Sequence, residues 1–252
     1  AAPDADQLSR LIGMGETVTL RLSSTAHTYE TVSQNVIGEI PGASRPEEVI
    51  VLGSHMDSWD LGTGAIDDGA GGGITLAAAK AIAESGRRPA RTIRVVLYGS
   101  EEVAQPTDTG NGGGAYLRGI GDAVDDHVIA GESDFGADRV YALGLPPGAQ
   151  GSEFARIAAQ VLYPIGVLPS PQPELHGGAD IGPLAAAGVP VFGLNQDGTR
   201  YFDLHHTADD TLDKIDPEQL SQNVAAWAAL VYLIADSDVD FRAMRPAEAA
   251  AH

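Results

Sequence analysis

The sequence predicts an α/β fold, a mainly parallel sheet covered by helices on both faces. Three observations predict it. Strand-like and helix-like segments alternate along the chain, the pattern that lays crossover helices over a parallel sheet. Val49-Ile-Val-Leu52 is a short apolar run of the kind buried on both faces. The 252 residues, 43% hydrophobic and 20% charged, are enough for one large domain with a substantial core. No internal repeat or linker divides them, so residues 1–252 read as a single domain.

Residues 4–14 have helical spacing through Leu8, Leu11 and Ile12. Val18-Thr-Leu-Arg-Leu22 and residues 30–40 read as strands, partly by alternation. The Val49 run ends at Gly53-Ser54-His55. Residues 69–83 are small, Ala-rich and apolar, which suits a helix packed closely on a sheet, and Gly86-Arg-Arg-Pro89 stops it. Thr92-Ile-Arg-Val-Val-Leu-Tyr98 is the next strand, closed by Gly99-Ser100-Glu101-Glu102. A Gly-rich loop at 105–114 leads into a short helix around 115–118. His127-Val-Ile-Ala130 is a strand ending at Glu132-Ser-Asp134. Helices follow at 153–162 and 181–187, then a strand, Val189-Pro-Val-Phe-Gly-Leu194. Asp216 is an N-cap ahead of Pro217 at the first helical position. That helix runs to about Ala235, and residues 241–252 form a flexible tail.

Composition narrows the function. The formal charge of −20 repels a phosphate backbone, so no nucleic-acid partner is expected. Part of that excess is neutralised if carboxylates hold divalent cations; most of the acids read as solvated surface. Without cysteine there is no disulfide or thiolate site, and any metal must be held by oxygen and imidazole. No apolar run approaches the ~20 residues of a membrane span, and no membrane partner is expected. No signal peptide is seen, and Ala1-Ala-Pro reads as a processed or cloned start.

Five acid and histidine phrases stand out. They are His55-Met-Asp57, Asp67-Asp68-Gly, Glu101-Glu102, Glu132-Ser-Asp134 and His205-His206-Thr-Ala-Asp-Asp-Thr. In open α/β sheets ligands collect beyond the carboxyl ends of strands. His55, the Glu pair and Asp134 sit there, and the loops of Asp67 and His206 can reach the same end. Carboxylate and imidazole supply bridging and terminal ligands for two zinc-like ions. A carboxylate left unligated nearby can move the proton of an attacking water.

Together these phrases resemble the co-catalytic zinc exopeptidases, the clan of aminopeptidases that includes the plasma glutamate carboxypeptidase-like group. His55-Met-Asp-Ser-Trp-Asp60 followed by Gly64-Ala-Ile-Asp-Asp-Gly69 is nearly the signature of that group. The resemblance runs from the first helix to the last. It implies a three-layer α/β/α sandwich with a mixed, mainly parallel central sheet, two Zn2+ ions, and hydrolysis of the N-terminal bond of small unblocked peptides or dipeptides. Carried over by position, Asp67 bridges the metals; Glu102 and His206 complete one site, His55 and Asp134 the other. Glu101 is the general base and later the acid. Asp57 orients the His55 imidazole, and Tyr201 polarises the substrate carbonyl. A secreted or periplasmic location and a homodimer are further implications.

Blander readings stand beside these. Tyr201, next to Phe202, reads equally as packing. Asp68 competes with Asp67 as the bridge, and the family spacing selects Asp67. His205 reads as a neighbour, because the His-x-x-x-Asp-Thr phrase counts from His206. His176 is a substrate contact or a loop histidine, and His27, His127 and His252 carry no functional argument. Glycines 71–73 lack the Gly-Lys-Ser/Thr of a phosphate loop and suit close helix–sheet packing. Two departures from the family matter: the 105–114 loop is longer, close to the active site, and relatives carry a protease-associated domain upstream. The chain thus reads as a processed or truncated form. Two rivals remain, a single-zinc glutaminyl cyclase-like enzyme and a non-catalytic receptor-type module. The second should have lost the base or a ligand, and none is lost here.

Overall fold

The computed structural model describes residues 2–103 and 110–244. Residues 105–109 of the expected loop and 245–252 of the expected tail lie outside the described residues. Four strands, β1 (Val36–Ile40), β2 (Arg45–His55), β3 (Arg91–Tyr98) and β4 (His127–Glu132), form a sheet in the order β1-β3-β2-β4. β2 runs parallel to both β3 and β4, and β1 lies antiparallel at the edge. A second sheet has the order β6-β5-β7, from β5 (Val140–Gly144), β6 (Leu168–Pro169) and β7 (Gly193–Gln196). A parallel bridge between Ala130 and Val191 joins the two. The sheet is mixed and mainly parallel.

Its two faces are read directly from β2. Ile50 and Leu52 point to one face and Val49 and Val51 to the other, the period-two alternation of a strand buried on both sides. The first face packs α2 (Ala70–Glu84), α4 (Glu153–Leu162) and α7 (Pro217–Asp236) through Ile74, Phe154, Trp227 and Leu230. The second packs α3 (Gly112–Ile120) and α5 (Gly182–Ala186) through Tyr116 and Leu184. Helices therefore cover both faces. Each fully buried aliphatic side chain contributes roughly 1.5–3 kcal/mol. No helix among the described residues is long and apolar enough to cross a membrane.

Several boundaries differ from the sequence reading. Val18–Leu22 is not a strand: it pairs with no sheet among the described residues, and Leu20 and Leu22 are 62% and 92% exposed. Of residues 30–40, only Val36–Ile40 pairs. α1 (Ala2–Gly13) matches the first predicted helix. The short helix expected at 115–118 begins earlier, because Asn111 caps it by accepting from the Gly114 N–H and Gly112–Gly114 form its first turn. The run at 189–194 splits: Val191 bridges to β4, and regular pairing resumes only at β7, antiparallel to β5. α7 starts as read, with the Asp216 carboxylate accepting from Glu218 and Gln219 N–H.

Candidate metal centre

The carboxyl ends of β2, β3 and β4 bring the acid and histidine phrases together. His55 is the last residue of β2 and is 2% exposed. Its Nδ1 lies 2.9 Å from the Asp57 backbone carbonyl and 3.6 Å from Asp57 Oδ1. A proton held there leaves Nε2 as the bare nitrogen, facing Asp67 Oδ1 at 3.1 Å and Asp134 Oδ1 at 3.3 Å. The Asp57 carboxylate also accepts the Glu101 and Glu102 backbone N–H groups at 3.0–3.1 Å. One residue thus sets both, the imidazole through its backbone carbonyl and the turn that carries the glutamates through its carboxylate.

Asp67 sits at the centre. It lies in a tight bend, Ala65–Gly69, entered through Gly64 in the left-handed region and non-helical at Asp67 and Asp68, and is 3% exposed. Oδ1 faces His55, while Oδ2 lies 3.1 Å from His206 Nε2 and 3.2 Å from His205 Nε2. His206 Nε2 also meets Glu102 Oε2 at 2.7 Å. His205 and His206 follow the short helix α6 (Tyr201–Leu204), their rings stacked at 3.5 Å, with His206 in the left-handed region at φ 59°. His205 therefore approaches Asp67 as closely as His206 does, but only His206 adds a contact with Glu102. Asp68 faces the other way: Oδ2 accepts the His55 N–H and Oδ1 the Gly71 N–H.

This donor set suits hard or borderline cations. Ligand atoms of His55, Asp67 and Glu102 lie within 4.8 Å of one another, as do those of Asp67, His205 and His206, and those of His55, Asp68 and Asp134. Asp67 Oδ2, Glu102 Oε1 and Asp134 Oδ1 are buried with no hydrogen-bond partner among the described residues. Buried carboxylate oxygens without donors are costly unless a cation meets them. The electrostatics say the same. Burial and the Asp67 charge push Glu102 up to about 7. Burial and Asp134, helped by Asp67 and Asp57, raise Glu101. Burial, assisted by neighbouring Asp67, raises Asp134. For His55, burial opposes charge, but Asp134, Asp57 and Asp67 outweigh it and raise its pKa. Cations in the cluster would relieve this repulsion.

Tyr201 is 7% exposed and stacks on Phe135 at 4.4 Å, so it packs while facing the cluster. Burial, Asp134 and Asp67 raise its pKa and keep the phenol protonated. His176 is exposed on its loop, and His127 is a buried partner of the Tyr116 hydroxyl on the far side of the sheet from α2.

Three residues with a part in the site went unassigned in the sequence. Trp59 Nε1–H donates to Glu102 Oε2 at 2.7 Å, and its ring lies 5.2 Å from that of His206. Asp210, the acid of the His206 phrase, accepts the Ile66 and Asp67 N–H groups. Glu132, buried beside Asp134, accepts from the Asp180 and Ile181 N–H groups. All three lie inside the motif phrases, which mark the residues but not the partners they meet.

Comparison with known proteins bears on the family and the fold. Carboxypeptidase Q from Homo sapiens is 37% identical over 240 residues, covering 93% of this chain and 48% of that protein. A Peptidase M28 precursor from Shewanella amazonensis SB2B has a crystal structure that superposes with a TM-score of 0.75 at 44% identity, over 84% of this chain and 46% of that one. A zinc aminopeptidase from Bacillus subtilis shares the fold, with a TM-score of 0.62 at 21% identity, over 81% and 50% of the two chains. The chain spans about half the length of the curated relatives it matches. Residues 35–231 match peptidase family M28, a stretch that begins just ahead of β1, ends within α7 and contains every acid and histidine of the cluster. The chain belongs to that family.

Proposed function

We propose that this chain is the catalytic part of a zinc-dependent exopeptidase that cleaves the N-terminal bond of small unblocked peptides or dipeptides. The observation that carries the reading is the placement of Asp67, whose two oxygens face different partners. One side has His55 and Asp134, the other His206 and Glu102. These five residues would hold two Zn2+ ions, with Asp67 shared. Such ions supply Lewis-acid polarisation of the scissile carbonyl and acidify the attacking water.

The remaining steps belong to the chain's own side chains. Glu101, with its raised pKa, takes the proton from the attacking water and returns it to the leaving amine. Asp57 holds Glu101 in place through the backbone and fixes the His55 tautomer. Tyr201 donates its phenolic hydrogen to the carbonyl oxygen as negative charge develops there.

The test is metal content by elemental analysis, together with hydrolysis of dipeptide and aminoacyl substrates. Glu101→Gln should keep its zinc and lose about 10²–10⁴-fold in kcat. Full activity in that variant would remove Glu101 from the mechanism, and activity in fully metal-free protein would remove zinc from it. A stoichiometry of one zinc, with pyroglutamate as product, would favour the cyclase reading.

A further inference from the structure

A cavity of about 320 Å³ runs from Asp134 to Glu174, walled by Phe135, Tyr141 and Leu194, with Asn195 on its lining. Glu174 is built into it. Its Oε1 accepts three consecutive backbone N–H groups, from Leu175 at 3.1 Å, His176 at 3.0 Å and Gly177 at 3.1 Å. That clamp fixes the carboxylate. Below it lie Gly144 and Gly193, direct partners across β5 and β7. A Cβ on Gly193 would fall 2.8 Å from Glu174 Oε2, and one on Gly144 would fall 3.2 Å from Glu174 Cβ. The two glycines leave the sheet bare where the glutamate lies. Oε2 itself accepts no hydrogen bond among the described residues.

We propose that this cavity receives the side chain of the substrate's N-terminal residue and that Glu174 selects a basic one, lysine or arginine. The assignment rests on the exopeptidase reading, which puts Asp134 at the reacting end. Aromatic and aliphatic walls suit the methylene stem of a long basic side chain, whose charged head needs an anion at the end of its reach. The net charge of −20 adds a field that attracts cations. An apolar side chain would leave Oε2 desolvated without a donor, and an acidic one would be repelled.

The experiment uses the zinc-loaded chain with Xaa-Ala dipeptides carrying Lys, Arg, Met, norleucine or Glu, and with the reversed Ala-Xaa series. The expected result is a kcat/KM for Lys and Arg about tenfold or more above Met and norleucine, with Glu lowest. Glu174→Gln keeps an oxygen for the three N–H groups and replaces the other with an amide donor. It should bring the Lys-to-Met ratio close to one. Gly193→Ala, whose Cβ displaces the carboxylate, should do the same by a separate route. Hydrolysis of the Met and norleucine peptides without a basic preference overturns the pocket assignment alone. So does a ratio unchanged in both variants, or a basic preference confined to the Ala-Xaa series. Hydrolysis of none of the peptides overturns the exopeptidase reading, and the pocket assignment with it.

Discussion

Asp210 holds the loop of the central carboxylate while touching neither imidazole. Its two oxygens accept the Ile66 N–H at 2.5 Å and the Asp67 N–H at 3.2 Å, its carbonyl accepts the Thr63 N–H and hydroxyl, and it is 4% exposed. Because it closes the loop that carries His206, it sets Asp67 and His206 relative to each other. Asp210→Ala would leave two backbone donors without partners, at about 1–3 kcal/mol each. The expected outcome is a lower urea midpoint and zinc affinity reduced about 10–100-fold, as for other residues that orient ligands. Asp210→Asn, which keeps one acceptor, should fall between. Unchanged zinc affinity in the alanine variant, measured against a competing chelator, would show that the Asp67 loop stands without it. The phrase His-x-x-x-Asp-Thr made Asp210 visible in the sequence, but not what it binds, since its partners lie more than a hundred residues away. Trp59 was hidden for the same reason: nothing local tells a tryptophan that its indole will meet Glu102. His205 and His206 could be ranked only by spacing, and the geometry adds the Glu102 contact of His206 as a second difference.

At the scale of elements, the glycines that open α2 separate into two kinds. At Gly71 a Cβ would fall 1.9 Å from the Ser133 carbonyl oxygen and within 2.5 Å of the Asp68 carboxylate, so the helix start meets the end of β4 only without a side chain. Gly73, two residues on, is exposed and has nothing within 4 Å. Gly71→Ala should therefore cost about 1–3 kcal/mol or more by overpacking, and it should disturb Asp68 and the Asp134 segment. Gly73→Ala should stabilise by about 0.5–1 kcal/mol through helix propensity. Thermal unfolding of the two variants checks the contrast, and equal effects would refute the close-approach account. The small-residue run was legible as close packing, though not which glycine makes the contact. β2, β3 and β4 were legible because strands buried on both faces are short apolar runs. β5 and the two-residue β6 were not, since a short strand in a glycine- and proline-rich stretch carries little periodicity. Val18–Leu22 misled for the opposite reason: it carries the alternation, but alternation alone does not make a strand, and the segment pairs with no sheet among the described residues.

The whole molecule confines many acids to one end of its sheet, and its stability should carry that mark. Asp180 is fully buried between α3 and β4. Oδ1 accepts the Gly113 N–H, whereas Oδ2 has no partner among the described residues, and neither do the neighbouring Glu132 Oε1 and Tyr98 hydroxyl. Burial, with Glu101 adding to it, pushes the Asp180 pKa up to about 7. In the unfolded chain it would titrate near 4. Between those values the folded state binds the extra proton, so stability falls as pH rises, by roughly 1.4 kcal/mol per unit at most. The penalty is absent below about pH 4 and complete above about pH 7. Growing net negative charge acts in the same direction, but over the whole range and not at one residue. Asp180→Asn separates the two, since the amide keeps an acceptor for Gly113 and cannot ionise. Its unfolding temperature should change less between pH 5 and pH 8 than that of the wild type, and at pH 8 it should be the more stable protein. Zinc-loaded and chelator-treated samples should both show the difference, because Asp180 is not among the residues that would hold the ions. Parallel profiles for the two proteins would mean that Asp180 keeps its ordinary pKa in the fold, and that the buried face of α3 is more polar than its hydrogen bonds indicate.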